Sequence, residues 1–491
     1  MLSGCSFIPI YERPPLPTAE TYPREECTEN SSNVQQLCWQ DFFTDPALQE
    51  LILLGLNNNR DLRIAIGRIY EARAVYGHSW ADLFPTVDAN ALRLRTRLPG
   101  DLLKSTFTAF SPPPTPGTPT PSAPSNPGII FSGYLAALSV NSWEVDFWGR
   151  LRSLKDAALE EYLASEEAAH ATYISLIGQI ANSYLIELEL NELVSIAQKT
   201  VESRQKSYHL LKRRSEEGSS SKYEAIQAET LLQQAKADLT VLERKRELNW
   251  NAITLLVGAP IMPDMGLLSV IKPYFIKEIC PGLPSELLCN RPDVLAAEHK
   301  LKAANANIGA ARAAFFPTIS LTGAYGSASN ELKNLFCAGS KFWLFFPSIS
   351  VPIFDWGRNL SDLGLAKARR NIAVSEYEHT IQVAFREVAD ALAERTWLAE
   401  QVTIQTDALT AQTERARLAW IRYEYGTSPY LEFLDSERDR FSAEQNLVQT
   451  QRAFLASGVN LFIALGGGYC CTSMNASNCL DDKNFNYEEL W

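Results

Sequence analysis

The 491-residue sequence contains no run of about 18 consecutive apolar residues, so it predicts no transmembrane helix. That leaves a soluble chain, a lipid-anchored chain or a β-barrel, whose strands are short and only weakly apolar. A basic excess is also missing. The chain has 57 Asp and Glu against 45 Lys and Arg, a net charge of −12, which argues against nucleic-acid binding. Histidine is scarce, and His78, His170, His209, His299 and His379 stand at no metal-ligand spacing, so they read as surface or packing residues. Four methionines give no support to a Met-lined route for soft metals. There is no phosphate-cradling glycine loop and no nucleophile motif, and Gly466-Gly467-Gly468 reads as a helix terminator. Neither an enzyme nor a cofactor is expected. Proline is absent from 151–214 and from 359–425, which contain one glycine each, Gly178 and Gly364. At about 1.5 Å per residue, such helices would reach roughly 100 Å. A rod of that length cannot bury itself and must pack sideways on similar rods.

The N-terminus carries Leu2-Ser3-Gly4-Cys5, the form of a bacterial lipoprotein cleavage site, with Cys5 as the acylated residue. The following Ser6 accompanies outer-membrane sorting in such lipoproteins, and the Pro-rich run from Pro14 to Pro17 suits an extended segment. Of nine cysteines, eight then remain. An even remainder fits disulfides in the oxidising periplasm. Cys27 with Cys38 and Cys280 with Cys289 are the local pairings, among 105 possible connectivities.

What the chain does have is an internal repeat. Phe84-Pro85-Thr86 recurs 232 residues on as Phe316-Pro317-Thr318, and Asp61 recurs as Asp293. Trp148-Gly149-Arg150 recurs 208 residues on as Trp356-Gly357-Arg358; Gly218 and Gly258 recur as Gly426 and Gly466. The offset changes once, across the Pro/Ser/Thr-rich stretch 111–128, which reads as an extra loop in the first copy. The expected divisions are an extended, lipid-anchored segment 1–45, a first repeat 46–260, an equatorial connector 261–284, a second repeat 285–468 and an acidic, Cys-containing tail 469–491.

Each repeat has the order helix, β-hairpin, very long helix, turn, long helix. Opening helices are expected over about 60–83 and 292–315, ended by Pro85 and Pro317. Hairpins follow over about 85–141 and 317–354, and long helices over about 149–257 and 357–466. Ile319, Leu321, Gly323 and Tyr325 alternate with Ser320, Thr322 and Ala324, the pattern of a strand with one apolar face. Val87, Ala89 and Ala91 alternate with Asp88 and Asn90 before the phase shifts. Pro347 and Pro352 predict a bent or irregular strand in the second hairpin. Ala225, Ala228, Leu232, Ala235, Leu239, Leu242, Ile253 and Leu256 follow a heptad pattern, as do Tyr377, Ile381, Ala384, Val388 and Ala391. Four strands cannot close a barrel, and open edges are not tolerated in lipid, so chains would have to pool their strands. A coiled-coil scaffold with no pore is the competing reading of the helices.

These motifs, in this order, resemble the TolC-like outer-membrane efflux family, in its lipoprotein branch related to nodulation protein T. The residues that carry the resemblance are Leu2-Ser3-Gly4-Cys5, Asn290-Arg291-Pro292-Asp293-Val294, Phe315-Phe316-Pro317, Phe354-Asp355-Trp356-Gly357-Arg358, Tyr423-Glu424-Tyr425-Gly426, Leu431-Glu432-Phe433-Leu434-Asp435 and Ala464-Leu465-Gly466-Gly467-Gly468. The resemblance covers about residues 1–468. It implies a mixed α/β membrane protein, a homotrimer whose twelve-stranded β-barrel, four strands per chain, continues into a long α-helical coiled-coil barrel with a small mixed equatorial region. It also implies a place in the bacterial outer membrane, with a covalent lipid on Cys5, a periplasmic adaptor and an inner-membrane pump as partners, and no role for nucleic acid. The implied role is the exit duct of a tripartite efflux system, conducting small molecules; a duct for secreted proteins is the alternative.

In that family the turns at Gly218 and Gly426 form the periplasmic tip, where the adaptor docks. Without the family they would read as plain helix caps. Glu432 and Asp435 share one helix face and would repeat in a trimer as two acidic rings, which favour cations. The resemblance makes them pore-lining and puts Tyr423 in a network that holds the tip closed. The departure is Ser428, at the place of a basic tip residue, which leaves a weaker network or one built from Arg422. Trp148, Gly149 and Arg150, with Trp356, Gly357 and Arg358, would mark the joints between barrel and tunnel.

Overall fold

A computed structural model describes residues 6–19, 21–22, 32–33, 38–98, 129–261, 279–280 and 291–467. The expectations for Cys5, for the loop 111–128, for most of the connector and for the tail 469–491 lie outside the described residues, as do both local cysteine pairings. The chain divides into two compact units.

The first unit comprises Met1–Tyr11, Ala74–Leu159 and Ala303–Arg370. Its centre is an antiparallel sheet of four strands, β2 (Val87–Leu98), β3 (Ile129–Glu144), β5 (Thr318–Ser329) and β6 (Lys341–Ser350), in the order β2-β3-β5-β6. Each repeat supplies one hairpin, and the hairpins join where β3 meets β5. The register puts Val87, Ala89, Leu138, Val140, Leu321, Tyr325, Trp343, Phe345 and Ile349 on one face. Asp88, Asn90, Ser139, Ser320, Thr322 and Ser348 line the other at its helix-proximal end, where Asn90 donates to the Ser139 hydroxyl at 2.7 Å and Ser320 and Ser348 bond at 2.7 Å; farther along, this face carries the exposed Leu92, Leu94, Leu344 and Phe346. Large apolar side chains of the first face are uncovered: Trp343 is 75% exposed, Phe345 62% and Ile349 69%. Twelve residues of strand span roughly 40 Å, which when tilted crosses a membrane's apolar layer.

Two strand expectations need correction. β6 runs through Pro347 without a register shift; within the chain it has a partner on one side alone, so the missing N–H leaves its pairing with β5 in register. Pro352 lies past its end at Ser350. The irregularity falls in β3, where the register shifts between Val140 and Trp143 and Ser142 takes φ 51°. In β2 the alternation never breaks. What changes is polarity: the face that begins with Val87, Ala89 and Ala91 continues as Arg93, Arg95 and Arg97.

The second unit comprises Glu12–Arg73, Glu160–Lys302 and Asn371–Trp491. The helices are α1 (Trp39–Phe42), α2 (Pro46–Asn58), α3 (Arg60–Ala81), α4 (Arg150–Glu216), α5 (Lys222–Val257), α6 (Pro292–Ala313), α7 (Arg358–Glu424) and α8 (Tyr430–Ala464). α4 and α7 have 67 residues each, about 100 Å of helix. Among the described residues, no helix is long and apolar enough to cross a membrane. The heptad positions point inward: Ala225, Ala228, Leu232, Leu242 and Ile253 on α5 are buried, as are Tyr377, Ile381, Ala384, Val388 and Ala391 on α7. Ala235, Leu239 and Leu256 are half-buried. Leu190, Leu193, Val194 and Ala197 of α4 pack with Leu242 of α5 and Val448 of α8. The two-residue strands β1 (Ser32–Asn33) and β4 (Ile279–Cys280) pair in parallel, bringing the N-terminal segment to the connector.

Candidate functional site

Each long helix ends in the same turn. At the end of α4, Gly218 at φ 71° lets the Ser219 N–H reach the Arg214 carbonyl at 2.8 Å. At the end of α7, Gly426 at φ 73° lets Thr427 N–H reach the Arg422 carbonyl at 2.9 Å. Both close the last helical carbonyls with a residue in the left-handed region, where glycine carries no Cβ penalty. Ser221 then caps α5 by accepting from Tyr223 N–H, and Pro429 precedes α8.

Between the two turns lies an aromatic and charged cluster. Tyr423 meets Tyr430 edge-on at 4.8 Å, and Phe433 meets Trp420 at 5.0 Å. Tyr430 and Leu434 are buried against Leu211 and Ala228. Burial pushes the Tyr430 hydroxyl above its ordinary pKa. Arg214 donates to the Tyr423 hydroxyl at 2.5 Å, joining the end of the first long helix to the end of the second. Arg422 pairs with Glu432 at 2.5 Å, and Arg438 with Asp435 at 3.4 Å. Both acidic side chains are exposed on the start of α8, where negative charge also suits the helix dipole. The structure thus pairs Glu432 with Arg422 and gives Tyr423 a different partner, Arg214. Arg214 is an addition that sequence reasoning missed, although it stands 208 residues before Arg422 in the repeat. Deeper in, Arg204 is 7% exposed and holds the Leu434 carbonyl at 3.4 Å. Loss of water lowers its pKa, opposed by the charge of Glu437.

The other candidate positions lie at the base of the sheet. Trp148 stacks on Phe316 at 4.9 Å and donates its indole N–H to the Pro317 carbonyl at 2.8 Å. Arg150 forms a two-pronged pair with Glu144 at 2.8 and 2.6 Å, tying the first turn of α4 to the end of β3. Asp146 accepts from the Arg152 N–H at 3.0 Å and so caps α4. In the second copy Phe354 and Asp355 stand in the reverse order. Asp355 accepts from Gly357 N–H at 2.9 Å and Asn359 N–H at 3.0 Å, capping α7 just ahead of Arg358. Those two bonds, Asn359 first, hold the Asp355 carboxyl below its usual pKa. Gly149 and Gly357 sit at φ 76° and 81°, where the chain turns from strand into helix. Trp356 itself lies at φ 56° and is 90% exposed.

The model for outer membrane efflux proteins matches residues 51–259 and 283–467. The solvent efflux pump outer membrane protein SrpC of Pseudomonas putida is 40% identical over 474 residues, 96% of each chain. Outer membrane protein OprJ of Pseudomonas aeruginosa is 38% identical, covering 95% of this chain and 94% of that protein. The open state of the MtrE outer membrane channel of Neisseria gonorrhoeae superposes with a TM-score of 0.82 at 36% identity, over 95% of this chain and 99% of that one. With a paired match spanning both repeats and full-length relatives at this identity, the chain belongs to the outer membrane efflux protein family.

Proposed function

We propose that three copies of this chain pool their strands into a twelve-stranded barrel in the outer membrane, continued by their long helices as a tunnel. This would be the exit duct of a tripartite efflux system, conducting small molecules passively from a periplasmic adaptor and an inner-membrane pump. The observation that carries the reading is the open sheet. Among the described residues, β2 and β6 have one neighbour each, and large apolar side chains such as Trp343, Phe345, Ile349 and Phe346 stand uncovered on the sheet. Lipid tolerates neither an unpaired edge nor an unsatisfied backbone group, so the wall must be completed by neighbours. Kinship with a solvent efflux pump component supports small, poorly polar cargo. Image analysis and mass determination of the detergent-purified protein test the assembly. A hollow three-fold particle that forms conducting channels in a bilayer is expected; a stable monomer with no central passage ends the proposal.

The same reading includes a lipid on Cys5. Phe7 stacks on Phe316 at 4.8 Å, beside the first residues of β5, and Arg312 holds its carbonyl at 3.2 Å. The chain just after Cys5 therefore lies at the base of the sheet, where an acyl group could enter the inner leaflet. Palmitate labelling of wild type and Cys5→Ser tests this, with label expected only in the wild type. In the assembled duct, Glu432 and Asp435 would line the narrow end, and the Gly218 and Gly426 turns would meet the adaptor. The duct carries out no catalytic step.

A further inference from the structure

Trp356 is 90% exposed, and its aromatic neighbour is Phe354, edge-on at 4.7 Å. Its backbone is in the left-handed region, at φ 56°, which a tryptophan adopts only when its surroundings impose it. The hydrogen bonds from Gly357 and Asn359 to Asp355 impose it, and they turn a large ring into the open.

The repeat indicates what should cover that ring. Trp148 of the first copy corresponds to Trp356, and Phe316-Pro317 of the second copy corresponds to Phe84-Pro85. Within the chain, Trp148 stacks on Phe316 with an interplanar angle of 26° and donates to the Pro317 carbonyl. Phe316 is backed on its other side by Phe7, stacked at 4.8 Å and 11°, and Phe84 meets Trp80 at the same distance but tilted, at 51°. So, among the described residues, Phe84 has one ring beside it, Trp80, and none in the place that Trp148 takes on Phe316; it is 54% exposed. The strands show the same asymmetry. The β3–β5 seam joins the first copy to the second, and its counterpart, β6 to β2, is left open.

We propose that Trp356 docks on Phe84 and Pro85 of a second copy of this chain, ring against ring, with its indole N–H given to the Pro85 carbonyl. This rests on the trimeric reading and specifies how it is held. The contact is head-to-tail, so three of them close a ring. The competing role for an exposed tryptophan at a sheet end is a bilayer-interface anchor, which would touch lipid and no protein.

Placing the photo-reactive residue benzoylphenylalanine at position 356 of the full-length protein separates these roles. On illumination of the purified trimer, a covalent dimer is expected, with the cross-link mapping to the Leu83–Thr86 segment of the neighbour. Adducts with detergent or lipid alone, or links confined to one chain, would overturn the contact while leaving the trimer standing. A preparation that is monomeric before illumination would overturn the trimeric reading itself. As a second readout, Trp356→Ala should raise the subunit concentration for half-dissociation about tenfold or more, as for other central interface aromatics, with helix unfolding of the subunit unchanged. Trp356→Phe should recover most of that loss, and Trp148→Ala should weaken the subunit itself. Wild-type dissociation by Trp356→Ala counts against the contact.

Discussion

In the first repeat, Asn59 precedes α3 and gives its side-chain amide to the Leu256 carbonyl at the end of α5, at 2.7 Å. In the second, Arg291 precedes α6 and gives a guanidinium N–H to the Ala464 carbonyl at the end of α8, at 3.0 Å. The two donors stand 232 residues apart and the two acceptors 208, the offsets of the repeat itself. A helix end buried in a bundle leaves carbonyls with no helical partner, and a side chain must serve them. The site has been kept while its chemistry has diverged. Asn59 is neutral and completes its bonding by accepting from Leu62 N–H at 2.9 Å. Arg291, 7% exposed, also pairs with Asp293 at 2.6 Å and Glu387 at 2.8 Å. Burial works against its charge, but the two carboxylates outweigh that and hold its pKa up.

The difference can be broken by truncation. Arg291→Ala removes both ion pairs and the carbonyl's donor, and is expected to cost about 3–5 kcal/mol. It should fall toward the lower end, because Asp293 and Glu387 keep about 40% exposure and water can take them. Asn59→Ala leaves one buried carbonyl and one N–H unmet, about 1–3 kcal/mol. Denaturant midpoints of the detergent-solubilised protein measure both. Equal losses would show that the extra charges of the second copy contribute nothing net.

The tip turns sharpen the comparison from the opposite side, because here the copies match. Gly218 and Gly426 have the same φ to within 2°, and a Cβ at either would meet nothing within 4 Å. Alanine should therefore cost only backbone strain, about 1–2 kcal/mol and equal at the two sites. A larger penalty at one turn would reveal a partner pressed against it. Charge separates them again: Glu224 corresponds to Glu432, but Gln227 stands at the position of Asp435. If the acidic pair lines the pore, Glu432→Ala with Asp435→Ala should cut cation-over-anion permeability about two- to fivefold, in keeping with exposed, salt-screened charges. Glu224→Ala should do less. Unchanged ion selectivity in the double variant would remove both residues from the lining.

Much of this is legible in the sequence. The offsets of 232 and 208 located the equivalent positions, and proline placed the ends of α3 and α6 within two residues. The heptad residues of α7 are all buried, because a 3-4 pattern over many turns admits one packing face. What escaped depends on neighbours that are remote in sequence. Pro347 looks disruptive because nothing local says that β6 has a partner on one side alone within the chain. Arg214 and Tyr423 are 209 residues apart, and no spacing rule joins them. The transposed Phe354-Asp355 hid the exposed turn at Trp356, since a left-handed tryptophan has no sequence signature.

The opening helices offer the subtlest contrast. α6 is strapped by the N-terminal segment: Asn305 holds the Pro9 carbonyl at 2.8 Å, a Cβ on Gly309 would lie 2.6 Å from Ile8, and Arg13 pairs with Glu298 at 2.6 Å. Among the described residues, α3 has no such strap. A Cβ on Gly77, which corresponds to Gly309, meets nothing within 4 Å, and Ile66 stands where α6 has Glu298. Burial would raise the Glu298 carboxyl, but the Arg13 hydrogen bonds and the Lys302 charge overcome it and leave its pKa below the ordinary value. A carboxylate lowered in the folded state stabilises it above the unfolded pKa, about 4.3, and loses that contribution as pH falls through the folded value. The strap should therefore hold at neutral pH and loosen only below about pH 4. The effect is small, because Arg13 is 44% exposed and water screens the pair. Hydrogen exchange over residues 8–13 between pH 7 and 3, corrected for intrinsic rates, should show the step in the wild type. Glu298→Gln should abolish it, and α3 should show none. A wild-type strap that exchanges equally at both ends of that range would mean that apolar packing of Phe7 and Ile8 holds it, with the ion pair only incidental.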